Sequence, residues 1–360
     1  MTAPAHFRFD ATQLIEYATN LLGAAGAEAD KATTTAALLV EADLMGHKTH
    51  GLKLCAPYLS ALIEGKMRGS GTPDTIAETV ATVVWDGNYL PGVWLAAGAV
   101  DLAVSRAKST GIAAVSIRRS HHIGCLAVFL ERATREGLAV LVTCSDPSMA
   151  SVAPFGGIDP LFTPNPIAIG IPTEGTPVLI DVSMSVCANG TAARLQSTGD
   201  SFPGLWALDA EGRATDDPQV LFDDPPGTLL PIGGLDHGYK GYALGLFVEM
   251  LSQGLAGHGR ADHPENWGAS VFVQAWDPRA FAGIDAFTAQ TQWLAEAVHG
   301  SRPRPAIDAI RLPGERALQR KTAALANGIT LDDGIMDALA TWGDRLGVEQ
   351  PLPLEPDINA

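Results

Sequence analysis

The sequence predicts an α/β protein: apolar strands alternating with helices in a largely covered sheet, preceded by a small all-helical lobe. Three observations predict it. Up to about residue 65 the apolar residues recur with helical spacing, and each run ends in glycine. From there to about residue 285, short β-branched runs alternate with helical stretches, the pattern of a sheet covered by helices. Hydrophobic residues make up 46% of the 360 and charged residues 18%, enough for a large core and too little charge for a disordered chain.

Asp10 can cap a first helix over ATQLIEYATNLLGAAG, with Leu14, Ile15, Ala18, Leu21 and Leu22 on one face and Gly26 as its end. A second runs from about Glu28 to Met45, turns Ala36, Leu39, Val40 and Leu44 inward, and stops at Gly46. A third spans about Leu52 to Glu64. The texture then changes. TVATVVWDGN is a strand closed by Asp86-Gly87; GVWLAAGAVDLAVSRAKSTG is a helix; IAAVSIRR a strand; CLAVFLERATREG a helix; LAVLVTCSD a buried strand. NPIAIGIPT and PVLIDVSMSV are further strands. Residues 190–231, rich in Gly, Pro and Asp, read as a loop excursion with little helix. KGYALGLFVEMLSQGLAG returns to helix and ASVFVQAW to strand, and helical segments broken by prolines fill the end of the chain. The expected division is a helical lobe over residues 1–75, completed by about 286–360, and an α/β domain over 76–285.

A net charge of −16 disfavours nucleic acid and anionic membrane surfaces, both of which demand a basic face. Four cysteines without a CxxC pair fit a reduced, cytoplasmic protein. MTAPAHFRFD has no apolar core of a signal peptide, and even GYALGLFVEMLSQGLAG carries Glu249, so a soluble protein is expected.

The stretch EADLMGHKTHGLKL sets His47, Lys48, Thr49 and His50 just after a helix stop. A stop needs only the glycine. An H-x-x-H pair alone lacks the third ligand of a catalytic zinc. Three readings stay open: a metal-ligand pair, a polar helix end, or His50 as an acid/base oriented by the Thr49 hydroxyl. RRSHHIGCL places His121 and His122 in a strand-to-helix turn, where α/β proteins seat ligands; a helix cap by Ser120 is the plainer alternative. Asp181 ends an apolar strand, where a carboxylate needs a partner. Tyr239 and Lys240 open a helix, a plausible phosphate seat or simply a solvated first turn. No G-x-G-x-x-G follows a strand, so a nucleotide site, if present, is not built in the Rossmann manner.

Taken together, HKTHG, PFGG followed by NPIAI, DVSMS, YKGYAL and RLPGE, in this order, resemble the malate/L-lactate dehydrogenase family, from about residue 10 to about 335. That is the sulfolactate-dehydrogenase-like group, with its ureidoglycolate, diketogulonate and piperideine-carboxylate enzymes. The resemblance implies a non-Rossmann fold: a mixed-sheet NAD(P)-binding domain and a discontinuous helical domain. It implies NAD- or NADP-dependent hydride transfer to a 2-keto acid or cyclic imine, or the reverse, in a homodimer. By position His50 matches the general acid, Thr49 stands where serine is usual, and Asp181 matches the carboxylate of the same relay. His122 matches a second histidine that is the proton acceptor in some members. Cofactor-contacting positions fall on His122, Ser145, Ile180, Asp181, Val182, Ser183, Met184, Ser185, Val186, Tyr239, Lys240, Gly314, Glu315 and Arg316. His50, Lys53 and Asn165 match the substrate side, and no metal ligand set is implied. One departure stands out: the arginine of the usual H-G-x-x-R is Leu54 here, leaving a substrate carboxylate to Lys53 or to another base such as Arg118 or Arg119. Two rival functions stay open at this point: a metal-dependent hydrolase or lyase using His47, His50, His121 and His122, and a non-catalytic binding protein on the same fold.

Overall fold

The computed structural model describes residues 7–354. Strand β1 (Arg8–Phe9) leads into α1 (Ala11–Ala24), whose first turn is capped by Asp10 accepting the Gln13 N–H at 3.0 Å. Helix α2 (Ala29–Met45) stops at Gly46, which takes the left-handed conformation at φ 86°, and a short 3-10 turn over Leu52–Leu54 enters α3 (Cys55–Ile63). Leu14, Leu21, Ala36, Leu39 and Val40 are fully buried between these helices, as their spacing predicts.

The sheet strands are β2 (Asp74–Glu78), β3 (Thr82–Asp86), β4 (Ile112–Ser120), β5 (Ala139–Ser145), β6 (Pro166–Ile171) and β7 (Val178–Ser183), with α4 (Gly92–Thr110) and α5 (Ala127–Thr134) between them. Downstream come α6 (Asn189–Thr198), β8 (Ala207–Leu208), β9 (Ala214–Thr215), β10 (Thr228–Leu229), α7 (Gly234–His237), α8 (Tyr239–Glu249) with a π turn at its end, and β11 (Ala269–Trp276). Helices α9 (Ile284–His299), α10 (Glu315–Asn327) and α11 (Ile335–Leu346) close the described chain, with β12 (Ile329–Thr330) before the last of them.

The seven strands lie in the order β2-β3-β4-β11-β5-β6-β7. Only β3 and β4 pair in parallel, joined by the α4 crossover that parallel neighbours require. Strand β11 arrives late in the chain and inserts between β4 and β5, antiparallel to both, which converts a strand–helix alternation into a mixed sheet. Strict alternation decides which core each side chain joins. Val140, Val142, Val271 and Val273 face the core shared with α4 and α5, whereas Leu141 and Phe272 face Val248 of α8.

Two expectations need correction. Residues 190–231 hold a real helix, α6, and a three-stranded sheet β10-β8-β9 around a core of their own that includes Phe162, Met184, Leu195 and Phe202. Only Ala192 and Leu195 of α6 are buried, too thin a stripe to register as helix periodicity. Strand β2 was invisible for a similar reason: all five residues are exposed on an edge. At the other end of the chain, α10 packs on α2, α11 packs on α1 and α3, and β12 pairs with β1. Helix α9 instead leans on the sheet side, its Thr291 hydroxyl donating to the Pro172 carbonyl at 3.1 Å. No helix of the described residues is long and apolar enough to cross a membrane.

Candidate active site

The loop after α2, the turn after β4, the ends of β5 and β7 and the start of α6 converge on a cavity of about 540 Å³. His47, Thr49, His50, His122, Ser145, Asn165, Asp181 and Ser183 all line it. The HKTHG loop is held from behind by Asp43, whose Oδ2 accepts the Leu52 N–H at 2.7 Å. That contact closes the loop back onto the last turn of α2 and fixes where its imidazoles sit.

The Thr49 hydroxyl lies 2.7 Å from Nδ1 of His50. This leaves Nε2 as the ring nitrogen not engaged by Thr49. Burial, with His47 and Lys53 nearby, pushes the His50 imidazole down to about 4, so it rests neutral near pH 7. A neutral imidazole held at one nitrogen can accept a proton at the other and, once protonated, give it up again. Gly190 at the start of α6 permits this arrangement, since a Cβ there would stand 3.1 Å from the Thr49 Cβ.

His122 faces His50 with ring centroids 5.9 Å apart and stacks on Trp267 at 4.7 Å. Its Nδ1 is 2.8 Å from the buried Tyr58 hydroxyl, and burial holds the ring well below its ordinary value. Both candidate acids therefore reach the same cavity. His121 does not: it is buried edge-on to Tyr58 and Trp267 on the far side of the turn. Ser120 caps no helix, because the turn runs on to Ala127 and its hydroxyl donates to the His121 carbonyl at 2.7 Å.

Asp181 is placed differently from the expected relay. Its Oδ2 accepts the Ala127 N–H at 2.9 Å and lies 3.7 Å from the Cys125 sulfur. Burial raises its pKa, opposed by His47 rather than by His50. No hydrogen bond joins Asp181 to His50 among the described residues, so the structure pairs His50 with Thr49 and sets Asp181 beside His47.

The remaining expected positions divide. Ser145 donates to Glu249 at 2.7 Å within a buried network that includes Arg260, and Asn165 gives its amide to the same Glu249 at 2.9 Å. Met184 and Ser185 are buried beneath the end of β7, Val182 is exposed on it, and Ile180 and Val186 are half-buried. Tyr239, Lys240 and Arg316 are exposed and do not line the cavity. Gly314 packs on Leu179 of β7, and Glu315 is 2.6 Å from His299. Lys53 points to solvent while Leu54 lines the wall. Arg118 and Arg119 are both committed to the buried Asp86 and are absent from the lining, which removes them as carboxylate grips. Among the described lining residues there is no lysine or arginine.

The reading from sequence missed Asp43, Tyr58, Cys125, Asp146, Gly190 and Trp267. Asp146 lines the cavity with a buried Oδ2 that has no hydrogen-bond partner among the described residues, an acceptor suited to the N–H₂ of a carboxamide such as that of nicotinamide. With the Ser145 and Thr163 hydroxyls beside it, the residues present fit a nicotinamide ring.

Comparison with known sequences decides the family. A sequence model described as malate/L-lactate dehydrogenase matches residues 9–340. The chain belongs to the malate/L-lactate dehydrogenase family. It is similar to the (2R)-3-sulfolactate dehydrogenase (NADP(+)) of Chromohalobacter salexigens, 31% identical over 334 residues that cover 89% of this chain and 93% of that protein. Among solved structures it resembles the sulfolactate dehydrogenase of Methanocaldococcus jannaschii, with a TM-score of 0.84 and 26% identity over 95% of this chain and 98% of that one. The delta1-piperideine-2-carboxylate reductase of Pseudomonas syringae pvar. tomato gives 0.81 and 28%, covering 93% and 99%. Membership makes the chain an NAD- or NADP-dependent oxidoreductase on the fold of these dehydrogenases, and disfavours both the hydrolase and the non-catalytic readings.

Proposed function

We propose that the chain moves hydride between nicotinamide and a 2-keto/2-hydroxy acid or cyclic imine/imino acid pair, with His50 exchanging the accompanying proton. The observation that carries this is the Thr49–His50 contact on the wall of the cavity, within a chain of this family. Bound nicotinamide supplies the hydride or takes it up. Asp146, Ser145 and Thr163 would hold its carboxamide, and Gly314, Glu315, Arg316, Tyr239 and Lys240, which lie outside the cavity, are the positions proposed for the rest of the cofactor. In oxidation the neutral His50 ring accepts the substrate proton; in reduction it first takes up a proton from solvent and then gives it to the carbonyl oxygen or imine nitrogen, while Thr49 keeps the imidazole in one orientation. Trp267 covers His122 and limits water around the reacting centre.

The described wall offers imidazoles, hydroxyls, the Asn165 amide and the Asp146 and Asp181 carboxyls, and no lysine or arginine for a substrate carboxylate. This favours substrates of low charge over dicarboxylates. The test is a panel of 2-keto acids and cyclic imines followed by NAD(P)H absorbance. Turnover confined to dianionic substrates would count against the charge argument, and no turnover with any member would count against the assignment.

The same reading extends to assembly and place. The proposed unit is a homodimer with a cytoplasmic location. Helix α8 is mostly apolar yet leaves Leu244, Phe247 and, at its end, Met250 at 42%, 44% and 65% exposure, the signature of a face meant for another surface. All four cysteines are free thiols, in keeping with a reducing compartment. The division into a helical lobe of residues 1–75, completed by about 286–360, and an NAD(P)-binding domain of 76–285 is likewise proposed, with α9 at the boundary leaning on the sheet side; sedimentation and limited proteolysis test the two points.

A further inference from the structure

The cavity holds a second cluster that the proton chemistry does not require. His47, Cys125 and Asp181 come from three separate elements, the loop after α2, the turn before α5 and strand β7, and their ligand atoms all lie within 4.8 Å of one another. The Cys125 thiol donates to Asp181 Oδ2 at 3.7 Å, while no hydrogen bond or ion pair among the described residues links His47 to either.

We propose that His47, Cys125 and Asp181 bind one divalent transition ion of the zinc class on the floor of the catalytic cavity. Tetrahedral Zn²⁺ with Zn–S of about 2.3 Å and Zn–N of about 2.0 Å sets its ligand atoms about 3.5 Å apart, so modest side-chain rotation closes the present spacing. One nitrogen, one sulfur and one oxygen suit Zn²⁺ or Co²⁺ and not Mg²⁺ or Ca²⁺, which take oxygen. The carboxylate and the thiolate balance the dication's charge, the thiol proton passing to buffer as the ion binds. The Ala127 N–H already orients Asp181 from outside the cluster, the role of a supporting shell. All three side chains line the cavity, which gives an ion its way in. Because His47 precedes His50 on the same loop, an ion bound here ties the proton-carrying loop to β7 and makes the enzyme responsive to metal.

The probe is Co²⁺, titrated into the purified full chain after chelation. The expected result is saturation at one ion per chain with a thiolate-to-cobalt charge-transfer band that Zn²⁺ displaces. Cys125→Ser should remove the band, His47→Ala should weaken binding by about tenfold or more, and Cys144→Ser should change neither. If Cys125→Ser does not fold, as read by circular dichroism, His47→Ala decides, since its side chain sits on a loop. A titration without a saturable band, a band that survives Cys125→Ser, or parental affinity in His47→Ala overturns the site. None of these readouts depends on turnover, so they stand or fall apart from the assigned reaction.

Discussion

Asp43 offers a quantitative check on how the HKTHG loop is held. Burial moves its carboxyl from an ordinary value near 3.8 up to about 7, against the opposing Leu52 N–H. The folded chain therefore keeps this proton between about pH 4 and pH 7 while the unfolded chain releases it, and stability falls as pH rises through that window. A displacement of this size corresponds to at most about 4 kcal/mol. The side chain borders an open cleft lined by Gly46, Lys48 and Arg320, so solvent screens part of it and about half is expected. Asp43→Asn mimics the protonated form and keeps an oxygen for the Leu52 N–H. Urea midpoints of parent and variant, converted to free energy at several pH values, isolate the effect. The variant should gain about 2 kcal/mol on the parent between about pH 4 and pH 8. A difference that stays flat with pH, or one that grows toward acid, refutes the reasoning.

Three further outcomes are expected. Gly190→Ala should push Thr49 by a few tenths of an ångström and lower kcat by up to about tenfold with cofactor affinity unchanged; an unaltered kcat would mean the contact is idle. Tyr58→Phe strips His122 Nδ1 of its hydroxyl partner inside the core and should cost about 1–3 kcal/mol, seen as a lower Tm. Lys240→Ala should raise KM for cofactor more than it changes kcat, and unchanged cofactor binding would remove Lys240 from the site.

Much of this site was legible in the residues because its elements begin and end on local signals. Asp10, Gly46 and the alternation of β5 and β11 each act within a few residues, so the loop carrying His47, Thr49 and His50 could be placed from sequence. What could not be read are contacts between distant segments. Trp267 reaches His122 only because β11 inserts beside β4, and nothing near Trp267 announces that pairing. Asp181 was read as a partner for His50, but the register of β7 against β6 and the Ala127 N–H turn it toward His47 and Cys125. Arg118 and Arg119 looked available as substrate grips; the buried charge of Asp86, opposite Arg118 on the neighbouring strand β3, claims both. Helix α6 was hidden by a stripe of only two buried residues, yet its first turn shapes the cavity through Gly190.

The central claim is that His50, held by Thr49, carries the proton that accompanies hydride. Single-turnover reduction by His50→Ala, with NAD(P)H oxidation followed directly and cofactor affinity measured by fluorescence, tests it most directly. The account predicts a loss of roughly 10² to 10⁴ in the rate of the chemical step, unchanged cofactor affinity, activity retained in Thr49→Ser and reduced in Thr49→Val. If His50→Ala stays within a few-fold of the parent while His122→Ala abolishes the step, the proton comes from His122 and the Thr49–His50 pair is only a wall of the cavity.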